Sequence, residues 1–359
     1  MRLSHLACGA LGAITLGLVL PLGLAPVAAQ APAGSAATAW TMPRTPEGTP
    51  DLQGNWSNAT ITPLERPPGQ PAALSADVVA KMEKGVQDRI ERLAKPSDPN
   101  RPAPPQGGDG STGAAGNVGG YNNFWIDAGE RVAIVNGEYR TSLIVDPPDG
   151  RVPPMTEAAL ARSAERNKRA AQFGQYDNPE NRPLAERCIA SFGSNAGPPM
   201  LPNYFYNNNY TIVQTRDHVL VMTEMVHDAR IIRIGKDRPR LPAHVRPWWG
   251  DSIGWWEGDT LVVETTNFHP SQVFRGASDT LKVTERITRV DADTLLYKFT
   301  IDDPQVFARP WSGEVPFEKL DDLIYEYACH EGNYALMNVL SGERAQEKSR
   351  AAKPPSRQQ

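Results

Sequence analysis

The sequence predicts a mainly β protein: an antiparallel meander forming a barrel or sandwich, with helical and loop insertions. Short runs rich in β-branched and aromatic residues recur at regular spacing over 210–214, 219–226, 230–234, 260–267, 281–290, 295–301 and 311–319. Turn chemistry separates them, at Arg216-Asp217-His218, Glu257-Gly258-Asp259 and Asp291-Ala292-Asp293. Short strands spaced this way fit an antiparallel sheet better than a parallel α/β one.

Taken in order, residues 1–29 read as a secretory signal peptide. Met1-Arg2 opens it, an apolar run covers 11–24, and the small residues Val27-Ala28-Ala29 precede the expected cut. That run is short for a membrane span, and no second long apolar stretch follows, so no transmembrane segment is expected. The mature protein is expected in the periplasm or outside the cell. Residues 30–50 are an Ala/Pro-rich linker, and 51–342 a single β-rich domain whose first strand holds Gly54-Asn55-Trp56. Helical insertions are expected over 75–95 and 156–173. Ser75 caps the first, with an apolar stripe of Val79, Met82, Val86, Ile90 and Leu93, and Thr156 caps the second. Residues 96–120 are Pro-rich and then Gly-rich, a composition that cannot order itself. Asn136-Gly137 signals a type I′ hairpin between 131–135 and 139–145. A last strand is expected over 323–329, and a disordered, charged tail over 343–359.

Three of the 359 residues are Cys. Cleavage of the leader removes Cys8 and leaves Cys188 and Cys329 in an oxidising compartment, where a disulfide is expected. Two inert buried thiols, or a thiol nucleophile, are the competing readings. The formal charge is −4, and basic residues are scattered rather than clustered, which argues against nucleic-acid binding. There is no H-x-H, H-E-x-x-H or C-x-x-C, no G-x-S-x-G, no phosphate loop and no G-x-G-x-x-G. No metal and no organic cofactor is therefore expected.

Titratable groups nevertheless interrupt the apolar strands. In the run 224–230, strand alternation would put Glu224, Asp228 and Arg230 on one face and His227 on the other, unless a bulge re-aims them. Such a carboxylate–Arg pairing is either structural or an acid/base pair in a cavity. His330-Glu331 follows the expected last strand and offers a group that titrates near neutrality beside a carboxylate. His227, Asp228, Arg230, His330 and Glu331 are the candidate catalytic residues. Glu224, Trp256, Glu264, Asn267 and Tyr334 are the candidate ligand contacts, the first, third and fourth being polar groups in or beside apolar strands. Trp248, Trp249, Trp255 and Trp256 are either core or a stacking platform.

The motifs of 43–56 (PRTPEGTPDLQGNW), 227–232 (HDARII), 256–268 (WEGDTLVVETTNF) and 325–334 (YEYACHEGNY) together resemble a family of exported bacterial proteins. The resemblance implies a bacterial, periplasmic protein and supplies no activity and no catalytic residues. Separately, Gly54-x-Trp56 and the meander are similar to the lipocalin and wider calycin pattern, in which the Trp plugs one end of the barrel. The leading expectation is an exported β-barrel enzyme that acts on a small organic molecule by general acid/base chemistry. The alternatives are a non-catalytic, lipocalin-like carrier of a small apolar ligand and a structural envelope protein.

Overall fold

The structure is a computed structural model that describes residues 40–94, 100, 126–191, 197–271 and 274–352. The expected leader lies outside these residues, as does the expected 96–120 loop apart from Asn100. In chain order the elements are β1 (Gly54–Ser57), β2 (Ala73–Leu74), α1 (Ala76–Ala94), β3 (Ile134–Val135), β4 (Glu138–Arg140), β5 (Ile144–Asp146) and α2 (Glu157–Ala170). There follow β6 (Asn209–Gln214), β7 (His218–Thr223), β8 (Ala229–Ile234), β9 (Asp251–Glu257), β10 (Thr260–Thr266), β11 (Lys282–Arg289), β12 (Thr294–Asp302), β13 (Trp311–Lys319) and α3 (Tyr334–Ala352).

Nine strands, β1 and β6 to β13, close into a barrel, because β1 pairs with β6 on one side and with β13 on the other. Strand β5 pairs with the outer side of β13, and β2, β4 and β3 form a separate small sheet. The β3–β4 hairpin turns at Asn136 and Gly137, both with positive φ, as a type I′ turn requires. Every barrel pairing is antiparallel except β8–β9, which is parallel through Arg233↔Ile253 and Ile234↔Gly254. A calycin-like barrel fits this architecture.

Alternation with period two fills the interior. Leu295, Tyr297, Phe299 and Ile301 of β12 and Trp311, Val315 and Phe317 of β13 are all buried. Gly313 keeps the middle of β13 clear: a Cβ there would overlap the Phe299 ring and come within 2.9 Å of the Leu143 carbonyl oxygen. Trp56 closes one end of the barrel. It is 1 % exposed, donates from Nε1 to the Leu52 carbonyl at 3.0 Å and lies under the Arg289 guanidinium, 5.4 Å from its ring centroid.

Three stretches depart from the sequence reading. No strand forms over 323–329. With β13 already joined to β1 the barrel has no free edge there, so the chain runs back along β1 (Leu320 N to Asn55 O, 2.9 Å) and on to Glu224. Residues 343–352, expected in a disordered tail, continue α3, in keeping with their Ala, Glu, Lys and Arg content. Strand β7 ends at Thr223 rather than 226, because Val226 turns to positive φ (62°) and leads a tight turn at Met225–His227.

Candidate functional site

A cluster of buried polar groups lies inside the barrel, reaching from Asn58 and Tyr210 beside Trp56 to Arg230 at the start of β8. In β8, Arg230 and Ile232 point inward while Ile231 points to solvent. In β11 the inward positions are Val283, Glu285 and Ile287. Arg230 and Glu285 therefore meet inside the barrel. The guanidinium binds the carboxylate with both terminal nitrogens, Nη2 to Oε1 at 2.8 Å and Nη1 to Oε2. The side chains are 5 % and 0 % exposed. Burial alone would weaken the Arg230 cation, but the Glu285 charge and hydrogen bonds outweigh it and raise the guanidinium's pKa.

Two tyrosines complete the cluster. The Tyr297 hydroxyl donates to Glu285 Oε1 at 2.9 Å and accepts the Met200 amide at 3.0 Å. The Tyr210 hydroxyl accepts from Asn58 Nδ2 at 3.2 Å. Burial drives both phenols well above their ordinary pKa, so they stay neutral. Asn58 Nδ2 also donates to the Met200 carbonyl at 3.3 Å. Asn58 Oδ1 is buried and has no hydrogen-bond partner among the described residues. A buried ion pair is weak evidence for stability, since desolvation offsets much of its attraction. Titratable groups in such surroundings are functional candidates.

Above this cluster sits the rim. Glu224 is buried and accepts from Asn209 Nδ2 at 2.7 Å and from the Tyr325 amide at 3.2 Å. The 224–228 turn and the segment leading to His330 are thereby joined. Cys188 and Cys329 form a disulfide with Cα atoms 5.6 Å apart, and Asn333 Nδ2 donates to the Glu186 carbonyl at 3.1 Å. Asp228 is half-buried, and His330 and Glu331 are exposed. His227 stands in the turn, but its side chain lies outside the described residues.

The remaining candidates lie apart. Trp256 is half-buried beside the β9–β10 turn, opposite Leu261. Glu264 points out of β10 to Arg240 Nη2, at 2.6 Å. Asn267 donates from Nδ2 to the Val245 carbonyl at 2.6 Å, and Tyr334 is exposed at the start of α3. Among the described residues no group of three or more His, Cys, Asp and Glu stands where it could hold a metal ion. No helix among them is long and apolar enough to cross a membrane.

Sequence reasoning missed Glu285, Tyr297, Tyr210 and Asn58. A signal for Glu285 was present: Leu281, Val283, Glu285 and Ile287 alternate, which puts a carboxylate on the apolar face. Fold and site together define a calycin-like barrel with a charged pair buried at one end. The chain matches no family model, no curated protein and no solved structure.

Proposed function

We propose that this protein is an exported, periplasmic or secreted β-barrel of bacterial origin that binds a small organic molecule at the Arg230 end. The carrying observation is the Arg230–Glu285–Tyr297 network, buried beneath an irregular segment rather than a strand. Binding, not catalysis, is the reading favoured, because Arg230 is already neutralised by Glu285 and holds no spare charge for a reacting group. No nucleic acid enters this reading. A fragment screen by thermal shift tests it. A ligand at a hundred times its Kd adds about 2.7 kcal/mol. For a domain of this size that raises Tm by roughly 4 °C. The rise should shrink in Tyr297→Phe, and a rise unchanged in that variant would count against the site.

A second reading, a general acid/base enzyme, is favoured by the Tyr325–Glu224 hydrogen bond, which draws the segment before His330 toward the His227 turn. There a neutral imidazole would act as base, oriented by Asp228 or Glu331. Once a substrate is found, His330→Ala should abolish its turnover, and unchanged turnover would leave the binding reading alone.

A further inference from the structure

Residues 197–208 have neither helix nor strand, yet they fill the mouth of the barrel. Met200 and Leu201 are 1 % and 3 % exposed and belong to the main core. What fixes Met200 inside is one peptide unit on each side. Its N–H goes to the Tyr297 hydroxyl and its carbonyl accepts from Asn58 Nδ2. Both partners are side chains of the barrel, so this backbone takes no part in a sheet.

The segment is built to turn at its ends. Gly197, Tyr204 and Asn207 all have positive φ, at 62°, 58° and 55°. For Tyr204 that backbone is strained, and it is held by the surroundings, with the Tyr204 hydroxyl on the Thr62 carbonyl at 3.1 Å. Downstream, Asn203 and Asn208 fasten the chain: Asn203 N donates to Asn208 Oδ1 at 3.0 Å, and Asn208 Nδ2 donates to the Asp127 carbonyl at 2.8 Å. Upstream, the Cys188–Cys329 disulfide does so. Among the described residues between these anchors, two hydrogen bonds hold the Met200 backbone, and Pro198, Pro199 and Pro202 are buried beside Met200 and Leu201.

We infer that Met200–Leu201 is a plug standing in the ligand's own place, and that the ligand is a neutral amphiphile with an amide head and an apolar tail. This deepens the binding reading and rests on it. The head's N–H would stand on Tyr297 in place of that of the 199–200 peptide, and its carbonyl on Asn58 Nδ2 in place of that of the 200–201 peptide. A second amide N–H would reach Asn58 Oδ1, a buried acceptor with no partner among the described residues. The tail would replace the Met200 and Leu201 side chains, a volume close to that of an octyl chain. An ionised head fits worse: Arg230 is already matched by Glu285, so a second buried anion would have no counter-charge.

The test is amide hydrogen exchange of the full chain, with octanamide, octanoate and octyltrimethylammonium as probes. Met200 N–H is expected to exchange by local opening, at least 100-fold faster than the amides of β11 and β12. Octanamide should speed it further, while the ionic probes bind at least tenfold more weakly. Asn58→Leu should weaken octanamide about tenfold, the worth of one hydrogen bond. The inference is overturned if Met200 N–H exchanges only with the core strands, or if octanamide binds without changing its exchange. A different molecule that binds at the Arg230 end while Met200 stays protected would sink the plug and leave the binding reading intact. Failure of every probe and fragment to bind at that end would sink both.

Discussion

The Arg230–Glu285 pair makes a quantitative prediction. Glu285→Gln leaves a guanidinium only 5 % exposed without its counter-ion. Glutamine keeps a single acceptor oxygen, so one of the two charge-assisted hydrogen bonds, worth about 1.5–3 kcal/mol, is lost and the other is left uncharged, and Tyr297 loses the charged acceptor for its hydroxyl. Removing one partner of a buried pair typically costs about 3–5 kcal/mol. At about 2.1 cal/mol/K of unfolding entropy per residue over the described domain, this lowers Tm by roughly 5–8 °C. Arg230→Met should cost a similar amount by stranding the Glu285 carboxylate. The double variant Arg230→Met/Glu285→Leu, with no charge left to strand, should recover more than half of the loss. Urea melts of the four proteins followed by Trp fluorescence supply the cycle. Single losses below about 1 kcal/mol, or a double loss equal to the sum of the singles, would refute a tightly coupled buried pair.

Three further outcomes are expected. The disulfide closes a loop of 141 residues, so Cys188→Ser/Cys329→Ser should lower stability by about 5 kcal/mol in the chain-entropy model, with the linked peptides seen in unreduced digests of the native protein; two free thiols there would contradict it. Gly313→Ala should cost about 1–3 kcal/mol by forcing Phe299 aside, and a loss under 0.5 kcal/mol would show that the strand gives way easily. Because the Tyr210 and Tyr297 phenols are raised above 10.0, their pH effect is absent below that value. Above it the unfolded chain loses both protons while the fold keeps them, so stability should fall by about 2.7 kcal/mol per pH unit from these two alone. Tyr297→Phe should remove about half of that slope, and an unchanged slope in alkaline urea melts would rule the assignment out.

Much of the barrel was legible because its strands carry their period openly. Leu295 to Ile301 alternates buried and half-buried side chains along its whole length and lies within β12, and Trp311 to Lys319 forms β13 with those limits. Asn136-Gly137 could hardly form anything but a tight hairpin. Arg230 could be placed on an inward face from alternation alone, but its partner could not. Glu285 lies 55 residues away, and only barrel closure brings β8 and β11 face to face. Residues 323–329 read as a strand because local propensity is blind to whether a sheet has an edge left. Met200 was invisible for another reason: the irregular, Pro-rich segment around it has no period, and its burial comes from the barrel core that receives it.

The most direct test of the binding site is amide chemical-shift mapping of the full chain against a fragment library that includes octanamide. The account predicts that the hits move the resonances of Asn58, Met200, Arg230, Glu285 and Tyr297 together and leave those of the β9–β10 and β11–β12 turns, around Gly258 and Asp291, in place. Shifts confined to those turns or to the outer face of the barrel, or no hit anywhere in the library, would contradict it.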